Sequence, residues 1–302
     1  MSGLSYADES LFDESPLDPE AARISWMVFG GLLALVALAY ANMLSYVSVY
    51  WTKGLYSHGW IVPVFAAYLF WVRRRPLLEC SATERWIGVG VIGASLLLRV
   101  FAAYYDFNNF ERISFIGTLL GICLLVGGLW LLKWAGPAMA FLIFMFPLPS
   151  MVENGLLIRL QSYATTASTF LLQLLGLGAA REGNVITIDT LEQPLTVAEA
   201  CSGLRMLTIF VAMCVALFLL SERPWWDRLV ILISAIPIAL MSNVIRIVAT
   251  GVLYWLFPAS QTEGLLHKVI HDFAGYGMMF VGMGLLWLEL GLLRSITVPE
   301  DE

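Results

Sequence analysis

Long apolar segments, each close to the length that crosses a lipid bilayer, recur along the whole chain with little polar sequence between them. A transmembrane helix needs about 20 mostly apolar residues to span a hydrocarbon core roughly 30 Å thick. The segments that meet or approach that length fall at 24–45, 59–72, 86–105, 113–132, 134–149, 202–220, 228–256 and 268–292. The composition agrees, since 59% of the 302 residues are hydrophobic and only 13% are charged. We therefore expect an all-α polytopic membrane protein with about eight transmembrane helices, forming a single domain over 23–293.

Both ends of the chain are expected to lie outside this domain. Residues 1–22 are acidic and poor in apolar side chains, which is typical of a disordered tail, and residues 294–302 predict a second tail. Because the sequence before the first apolar run is acidic, that run is expected to stay as an anchor rather than be removed as a signal peptide. Basic patches are absent, so we expect no nucleic-acid partner.

Basic residues are distributed unevenly between the loops. If the N-terminus is cytoplasmic, nine of the 17 basic residues lie on the cytoplasmic side, with Arg73-Arg74-Arg75 as the strongest marker. Cytoplasmic loops of membrane proteins carry an excess of Lys and Arg. This bias predicts that both termini are cytoplasmic and that the segment 150–200 is external.

The external segment shows helical and then extended patterns. Apolar residues repeat at helical spacing over 151–177 against a polar face, which predicts an amphipathic helix at the membrane interface. A full membrane span at this position is the rival topology, and it would move the following residues to the cytoplasm. Arg181-Glu182-Gly183-Asn184 predicts a turn, and Val185–Ile188 and Leu195–Val197 predict a short β-hairpin.

Under this topology, polar residues near the ends of several spans face the same external compartment. They are His58, Cys201, Asn243, Arg246, His267 and His271. Arg246 lies 18 residues after Arg228, or about 27 Å of helical rise, which places it near the outer end of its span. Ionisable residues at membrane depth are costly, and their convergence predicts a functional site.

Cys201 has a setting that favours a reactive thiolate. It stands at the start of a predicted helix, where free N–H groups and the positive end of the helix dipole favour an anion. Arg205 follows one turn later and adds a positive charge, while the N–H groups of Ser202 and Gly203 are candidate oxyanion donors. The other cysteines have no comparable setting; they are Cys80, Cys123 and Cys214.

His267 and His271 are four residues apart, so both project from one face of a helix. Either one is a candidate for proton transfer to and from the cysteine. A metal site formed by His58 with these two residues is the weaker alternative, because no carboxylate-rich cluster accompanies them. We expect neither a metal nor a cofactor.

Five short strings, in the same order along the chain, resemble the exosortase/archaeosortase family. They are Tyr56-Ser57-His58-Gly59, Arg181-Glu182-Gly183-Asn184, Glu199-Ala200-Cys201-Ser202-Gly203-Leu204-Arg205, Asn243-Val244-Ile245-Arg246 and His271-Asp272-Phe273-Ala274-Gly275. The resemblance implies a membrane cysteine transpeptidase with Cys201, Arg246 and His271 as its catalytic residues. The histidine at the third position implies the bacterial branch, because some relatives have arginine there. The resemblance therefore favours His271 over His267.

The resemblance also implies the partners and the cellular setting. Substrates would be exported proteins that end in a short Pro-Glu-Pro-like motif, a transmembrane helix and a basic tail. The enzyme would cleave beside the motif and pass the product to an acceptor that the sequence does not identify. Such enzymes accompany exopolysaccharide production, and the expected location is the bacterial inner membrane with a periplasmic active site. Arg205, Asn243, His58, His267, Glu199, Ser202 and Gly203 are expected to support the chemistry or bind substrate.

Three alternatives stay open at this point. A transporter would explain the intramembrane Arg99, but it predicts internal repeats, and the sequence has none that we can detect. A non-catalytic factor for polysaccharide export would use the outer polar cluster only to bind a partner. A membrane hydrolase would resolve the thioester with water instead of an acceptor.

Overall fold

The computed structural model describes residues 16–52, 54–189, 191, 194–197, 203–221, 223–257 and 265–296, without the side chains of 54, 55, 196, 265–276 and 296. Within these residues the helices are α1 (Pro19–Ala39), α2 (Ala41–Trp51), α3 (Ile61–Arg73), α4 (Ala82–Tyr105), α5 (Asn108–Phe141), α6 (Ser150–Leu174), α7 (Leu204–Leu220), α8 (Trp225–Leu256) and α9 (Leu265–Ile296). Two 3-10 helices cover Gly54–Trp60 and Leu142–Met145. The strands are β1 (Ala179–Glu182), β2 (Val185–Ile188) and β3 (Leu195–Thr196).

The predicted all-α polytopic membrane fold with a short β-hairpin is confirmed. Among the described helices, five are long and apolar enough to cross a membrane: Pro19–Ala39, Ala82–Tyr105, Asn108–Met145, Trp225–Leu256 and Gly277–Ser295. The predicted second and sixth spans correspond to helices of 13 and 17 residues, and the predicted fourth and most of the fifth lie in the stretch Asn108–Met145, which counts once although it folds back on itself. These three differences explain why five of the described helices meet the length and hydropathy for a span, compared with the eight spans predicted.

Chain contacts divide the protein into two compact units, Met1–Pro147 and Leu148–Glu302. In the first unit, α1 begins at Pro19, inside the segment predicted as a tail. Proline suits the first turn of a helix, where its missing N–H has no intrahelical partner to lose. The helix runs on into α2 with a mild break at Tyr40, whose N–H still bonds to the Val36 carbonyl oxygen at 2.9 Å.

The helix α5 is folded back on itself at Gly127 and Gly128. In a straight helix Leu120 and Gly136 would lie about 24 Å apart. In the structure, a Cβ atom added to Gly136 would lie only 3.7 Å from Leu120 Cδ2. Gly128 has φ 63° and ψ −158°, a conformation that essentially only glycine adopts. The two arms of α5 are therefore antiparallel, and the chain reverses five residues before Lys133, where the sequence placed the boundary between the fourth and fifth spans.

The reversal is stabilised by the start of α4. Ser81 and Glu84 form a reciprocal capping box there, and the second carboxylate oxygen of Glu84 accepts a hydrogen bond from Leu129 N at 3.1 Å. Glu84 therefore caps two helix starts, satisfying N–H groups that have no intrahelical partner. Close packing of α4 on α5 depends on Gly88, where an added Cβ atom would lie 2.6 Å from Leu125 N.

The intramembrane Arg99 has a structural role in this unit. Its guanidinium donates to the Ala39 carbonyl oxygen at the break between α1 and α2. It also lies 4.2 Å from the centre of the Tyr40 ring and pairs with Glu111 at 3.6 Å. The Tyr40 hydroxyl shares a hydrogen bond of 2.9 Å with Ser114 Oγ. Arg99 thus joins α1, α4 and α5, and the observation that favoured a transporter has an explanation in the fold.

In the second unit, α8 is packed against α6, α7 and α9. Its first half joins an apolar core with α7 and α9, which includes Phe210, Ile231 and Leu286. Its second half joins another core with α6 and the β-sheet, which includes Val244 and Ile247. The helix predicted over 151–177 is present as α6, and it is not among the five helices that satisfy the spanning criteria.

The sheet has the strand order β1-β2-β3, with both pairs antiparallel. The predicted pairing of Val185–Ile188 with the 195–197 segment is confirmed, since Val185 pairs with Thr196 and Ile186 with Leu195. The predicted turn was too long, because Arg181 and Glu182 belong to β1 and only Gly183 and Asn184 form the turn. Gly183 has φ 63°, which suits the first central position of a tight hairpin.

Candidate functional site

The start of α7 contacts α8 at Asn243. Gly203 is the N-cap of α7 and has φ 81°, in the left-handed region. An added Cβ atom at Gly203 would lie 3.3 Å from both Cγ and Nδ2 of Asn243. Glycine therefore meets two requirements at once, a positive φ and a close approach to a neighbouring side chain. The chain that leads into α7 is held against the middle of α8.

Asn243 and Arg246 are both polar and buried, and they lie on one face of α8. They are three residues apart, so their side chains are neighbours on the helix surface. Asn243 is fully buried, and Arg246 is only 5% exposed. Both lie in a helix whose most apolar window has a mean hydropathy of 2.1. A buried guanidinium in such a helix is costly to desolvate, which marks this stretch as a candidate for function rather than for packing alone.

Arg205 lies two residues after Gly203, in the first turn of α7, and is half-buried. The site therefore has two guanidinium groups in the elements that meet at Gly203 and Asn243. Together with the N-terminal end of the α7 dipole, they make this part of the second unit suited to an anion.

The β-sheet packs over the same stretch of α8. Ile186, Ile188 and Val197 are buried in one apolar core with Val244 and Ile247, the residues that follow Asn243 and Arg246. This core fixes the sheet against the helix through side chains with no polar atoms. The predicted position of the hairpin, beside the candidate site, thus has a direct packing basis.

A hydrogen-bonded link ties the last described residues of the sheet to α6. Asn184 Nδ2 donates to Gln161 Oε1 at 3.0 Å, and Val197 N donates to the Asn184 carbonyl oxygen at 3.0 Å. Gln161 Nε2 in turn donates to the Val197 carbonyl oxygen at 3.4 Å. Both polar groups of the Val197 backbone are therefore held, four residues before Cys201. Arg181 adds a second anchor, donating to Ser162 Oγ at 2.9 Å and to Thr166 Oγ1.

Sequence reasoning missed the positions that make this link. Gln161 looked like part of the polar face of an amphipathic helix, and Asn184 looked like an ordinary turn residue. The two are 23 positions apart, so no local pattern connects them. The available signal was the amide of Gln161, which at 9% exposure is one of four buried polar side chains in α6, because a buried amide requires partners.

Several predicted site residues lie outside the described part of the chain. Cys201, Glu199 and Ser202 fall before the first described residue of α7. His267 and His271 lie in the first two turns of α9, but their side chains are not described. The predicted span at 202–220 begins as a helix at Leu204, so Cys201 precedes the helix by three residues.

His58 belongs to the first unit and lies in the 3-10 helix Gly54–Trp60. Its ring centre is 6.2 Å from that of Tyr56, and its Nδ1 atom is buried with no hydrogen-bond partner among the residues described. Burial lowers the pKa of His58 below its ordinary value of 6.5, while a hydrogen bond with the backbone of Phe144 opposes that shift. The environment therefore favours a neutral imidazole.

These features define a class of protein, a helical, multi-pass membrane protein. In this class, a short β-sheet and the start of one helix pack against the stretch of a second helix that contains a buried Asn and a buried Arg. A sequence model described as transmembrane exosortase matches residues 50–288, and the chain belongs to this family. The resemblance found in the sequence is thus confirmed for the family, and all five strings lie within the matched range. Among curated proteins and among solved structures, nothing matches this chain.

Proposed function

We propose that this exosortase-family protein is a membrane cysteine transpeptidase that removes C-terminal sorting signals from exported proteins. The observation that carries the proposal is the contact of Gly203 with Asn243. Gly203, two positions after Cys201 in the sequence, lies against the buried stretch of α8 that contains Arg246. Covalent acyl transfer needs an activated nucleophile and a fixed positive charge that stabilises the oxyanion. A cysteine beside a helix start and a buried cation would supply these two groups.

The proposed reaction begins with attack of the Cys201 thiolate on the carbonyl carbon beside the recognition motif. A C–S bond forms, and the negative charge moves to the carbonyl oxygen. Arg246 and the N–H groups of Ser202 and Gly203 stabilise that oxyanion. Arg246 is buried in α8, so its guanidinium is a cationic donor of restricted position. Asn243 orients Arg246 or the substrate carbonyl.

The second half of the reaction returns the enzyme to its starting state. The C–N bond breaks, and His271 donates a proton to the departing amine, leaving a thioester on Cys201. The acceptor nucleophile then attacks the thioester while His271 takes its proton, and the thiolate is released. This alternation between acid and base is the usual pattern in covalent acyl transfer. His267 lies one turn away on the same helix and supports His271.

The substrate would approach from within the bilayer. Its transmembrane helix would lie beside the enzyme, its basic tail in the cytoplasm and its Pro-Glu-Pro-like motif at the active site. Arg205 is assigned to pair with the acidic residue of that motif, since guanidinium and carboxylate form two parallel hydrogen bonds. Glu199 is assigned to the substrate groove. This assignment requires a periplasmic active site and both termini in the cytoplasm of a bacterial inner-membrane protein.

A co-expression experiment tests this function. A tagged protein with a motif, an apolar helix and an Arg-rich tail is produced with the wild-type enzyme, with Cys201→Ala or with Cys214→Ala. Cys214 is a matched control because it is fully buried in the apolar core of α7. We expect intact-mass measurement to show loss of the tail with wild type and Cys214→Ala only, and any added mass would identify the acceptor. Processing by Cys201→Ala would contradict the proposal and favour a different nucleophile.

A further inference from the structure

A cavity of about 600 Å³ in the first unit has no part in the proposed reaction. It lies where the N-terminal part of α1 meets the end of α3 and the loop that follows. Its lining consists of Trp26, Phe70, Trp71, Arg74, Arg75 and Pro76. Aromatic rings therefore form one part of the wall, and two guanidinium groups with a proline form the rest.

The aromatic wall is held in place by a cluster of rings. Trp26 and Phe70 have ring centres 6.0 Å apart and meet edge to face. Behind them, Trp134 lies 6.1 Å from Trp26 and 5.2 Å from Phe70. Phe29 stacks on Phe70 at 5.8 Å. Such contacts add to the burial energy of each ring and keep the wall rigid before any ligand arrives.

The loop on the other side of the cavity is held by hydrogen bonds to its backbone carbonyl oxygens. Trp130 Nε1 donates to the Pro76 carbonyl oxygen at 2.9 Å, and Leu17 N donates to the Leu77 carbonyl oxygen at 3.0 Å. Leu77 itself is 3% exposed. Because the loop is anchored on both sides, the cavity is formed in the absence of a ligand.

The charged part of the cavity is suited to an anion. The Arg74 guanidinium lies 6.0 Å from the centre of the Trp71 ring, and both arginines are exposed. Within the described chain, neither Arg74 nor Arg75 forms an ion pair with a carboxylate. Guanidinium groups bind phosphate through two parallel hydrogen bonds, and a ring beneath the guanidinium keeps it oriented.

We propose that this cavity binds the headgroup of an anionic phospholipid. The phosphate would be held by Arg74 and Arg75, and the glycerol ester region would lie against Trp26, Phe70 and Trp71. A soluble phosphate compound would need the arginines but not the rings. The cavity adjoins the end of the apolar helix α3, the level at which headgroups meet the hydrocarbon region, and basic pockets between membrane helices bind such headgroups.

Native mass spectrometry of the purified full-length protein in detergent tests this site with phosphatidylglycerol and phosphatidylcholine as probes. The test variant is Arg74→Gln/Arg75→Gln. The control is Arg85→Gln/Arg294→Gln, which removes the same charge from exposed positions outside the cavity. We expect the test variant to bind phosphatidylglycerol roughly ten- to thirty-fold more weakly, and the control to bind it like the wild type.

Other outcomes would overturn the proposal. Equal loss of phosphatidylglycerol binding in both variants would show a general charge effect rather than a site. Equal binding of the two lipids by the wild type would show that the net negative charge of the headgroup is not recognised. If free glycerol 3-phosphate displaced the lipid at comparable concentration, the ligand would be a soluble phosphate compound. The substituted side chains are exposed, so we expect both variants to fold. A thermal unfolding measurement of each variant checks this.

Discussion

Replacing Gly203 with alanine has two effects, one on the backbone conformation of this residue and one on its contact with Asn243. The substitution forces an L-residue into a backbone with φ 81° and also adds a methyl group 3.3 Å from Asn243 Cγ and Nδ2. The left-handed conformation costs about 1–2 kcal/mol for a residue other than glycine. The methyl group adds a contact shorter than the ordinary carbon separation of about 3.5–4.0 Å.

The expected loss of activity follows from the displacement. Asn243 is fully buried, so the strain is relieved by a shift of a few tenths of an ångström in Asn243 or in the chain next to Cys201. A misplacement of about 1 Å can reduce the rate of an enzyme roughly a hundredfold. We therefore expect Gly203→Ala to slow cleavage roughly five- to tenfold, in addition to lowering stability.

Gly176→Ala is the matched control. Gly176 has φ 84°, and no atom would lie within 4 Å of its added methyl group. It should lose the same stability in a thermal unfolding experiment but keep the wild-type cleavage rate per folded molecule. Cleavage of a tail-bearing substrate in purified membranes provides the rate. Equal rates for the two variants would refute the inference that the Gly203 contact positions the site.

Three further predictions concern other parts of the fold. Asn184→Ala leaves the buried Gln161 oxygen without its partner, so we expect a loss of about 1–3 kcal/mol in unfolding free energy and slower cleavage. Thr187→Ala on the same sheet removes only an exposed hydrogen bond of 3.2 Å to the Ala180 carbonyl oxygen, so it should lose less stability and cleave at the wild-type rate. Arg99→Gln should lower the thermal unfolding temperature while the cleavage rate per folded molecule is retained, and an inactive but equally stable variant would contradict its structural role. The lowered pKa of His58 means that the unfolded chain binds more protons, so stability should fall as pH drops below the ordinary value of 6.5, and His58→Gln should flatten that dependence in unfolding measurements at stepped pH.

The sequence predicted the parts of the fold that depend on local patterns. Long apolar runs and period-two alternation identified most of the helices and the pairing of β2 with β3. The prediction placed the reversal in α5 too late along the chain. Lys133 is the only charged residue between 113 and 149, so the predicted boundary between the fourth and fifth spans fell there. The true signal was the adjacent pair Gly127-Gly128, since two glycines can adopt a backbone that ends one helix and starts another.

The interactions that hold the site depend on contacts between distant positions. The sequence identified Asn243, Arg246 and Gly203 as polar or small residues of the candidate site, but not the direct approach of Gly203 to Asn243. It also gave no reason to connect Gln161 with Asn184. Side-chain partners of this kind are decided by how helices and strands pack, and single-sequence periodicity does not contain that information.

Trapping the covalent intermediate is the most direct test of the central claim, that Cys201 is the nucleophile positioned beside Arg246. The purified enzyme is mixed with a tail-bearing substrate, quenched in acid and measured by intact mass and peptide mapping, with and without hydroxylamine. The account predicts a hydroxylamine-labile adduct on Cys201, present in wild type and Cys214→Ala and absent from Cys201→Ala, with slower adduct formation in Arg246→Lys. Continued cleavage by Cys201→Ala, or an adduct on another residue, would contradict it.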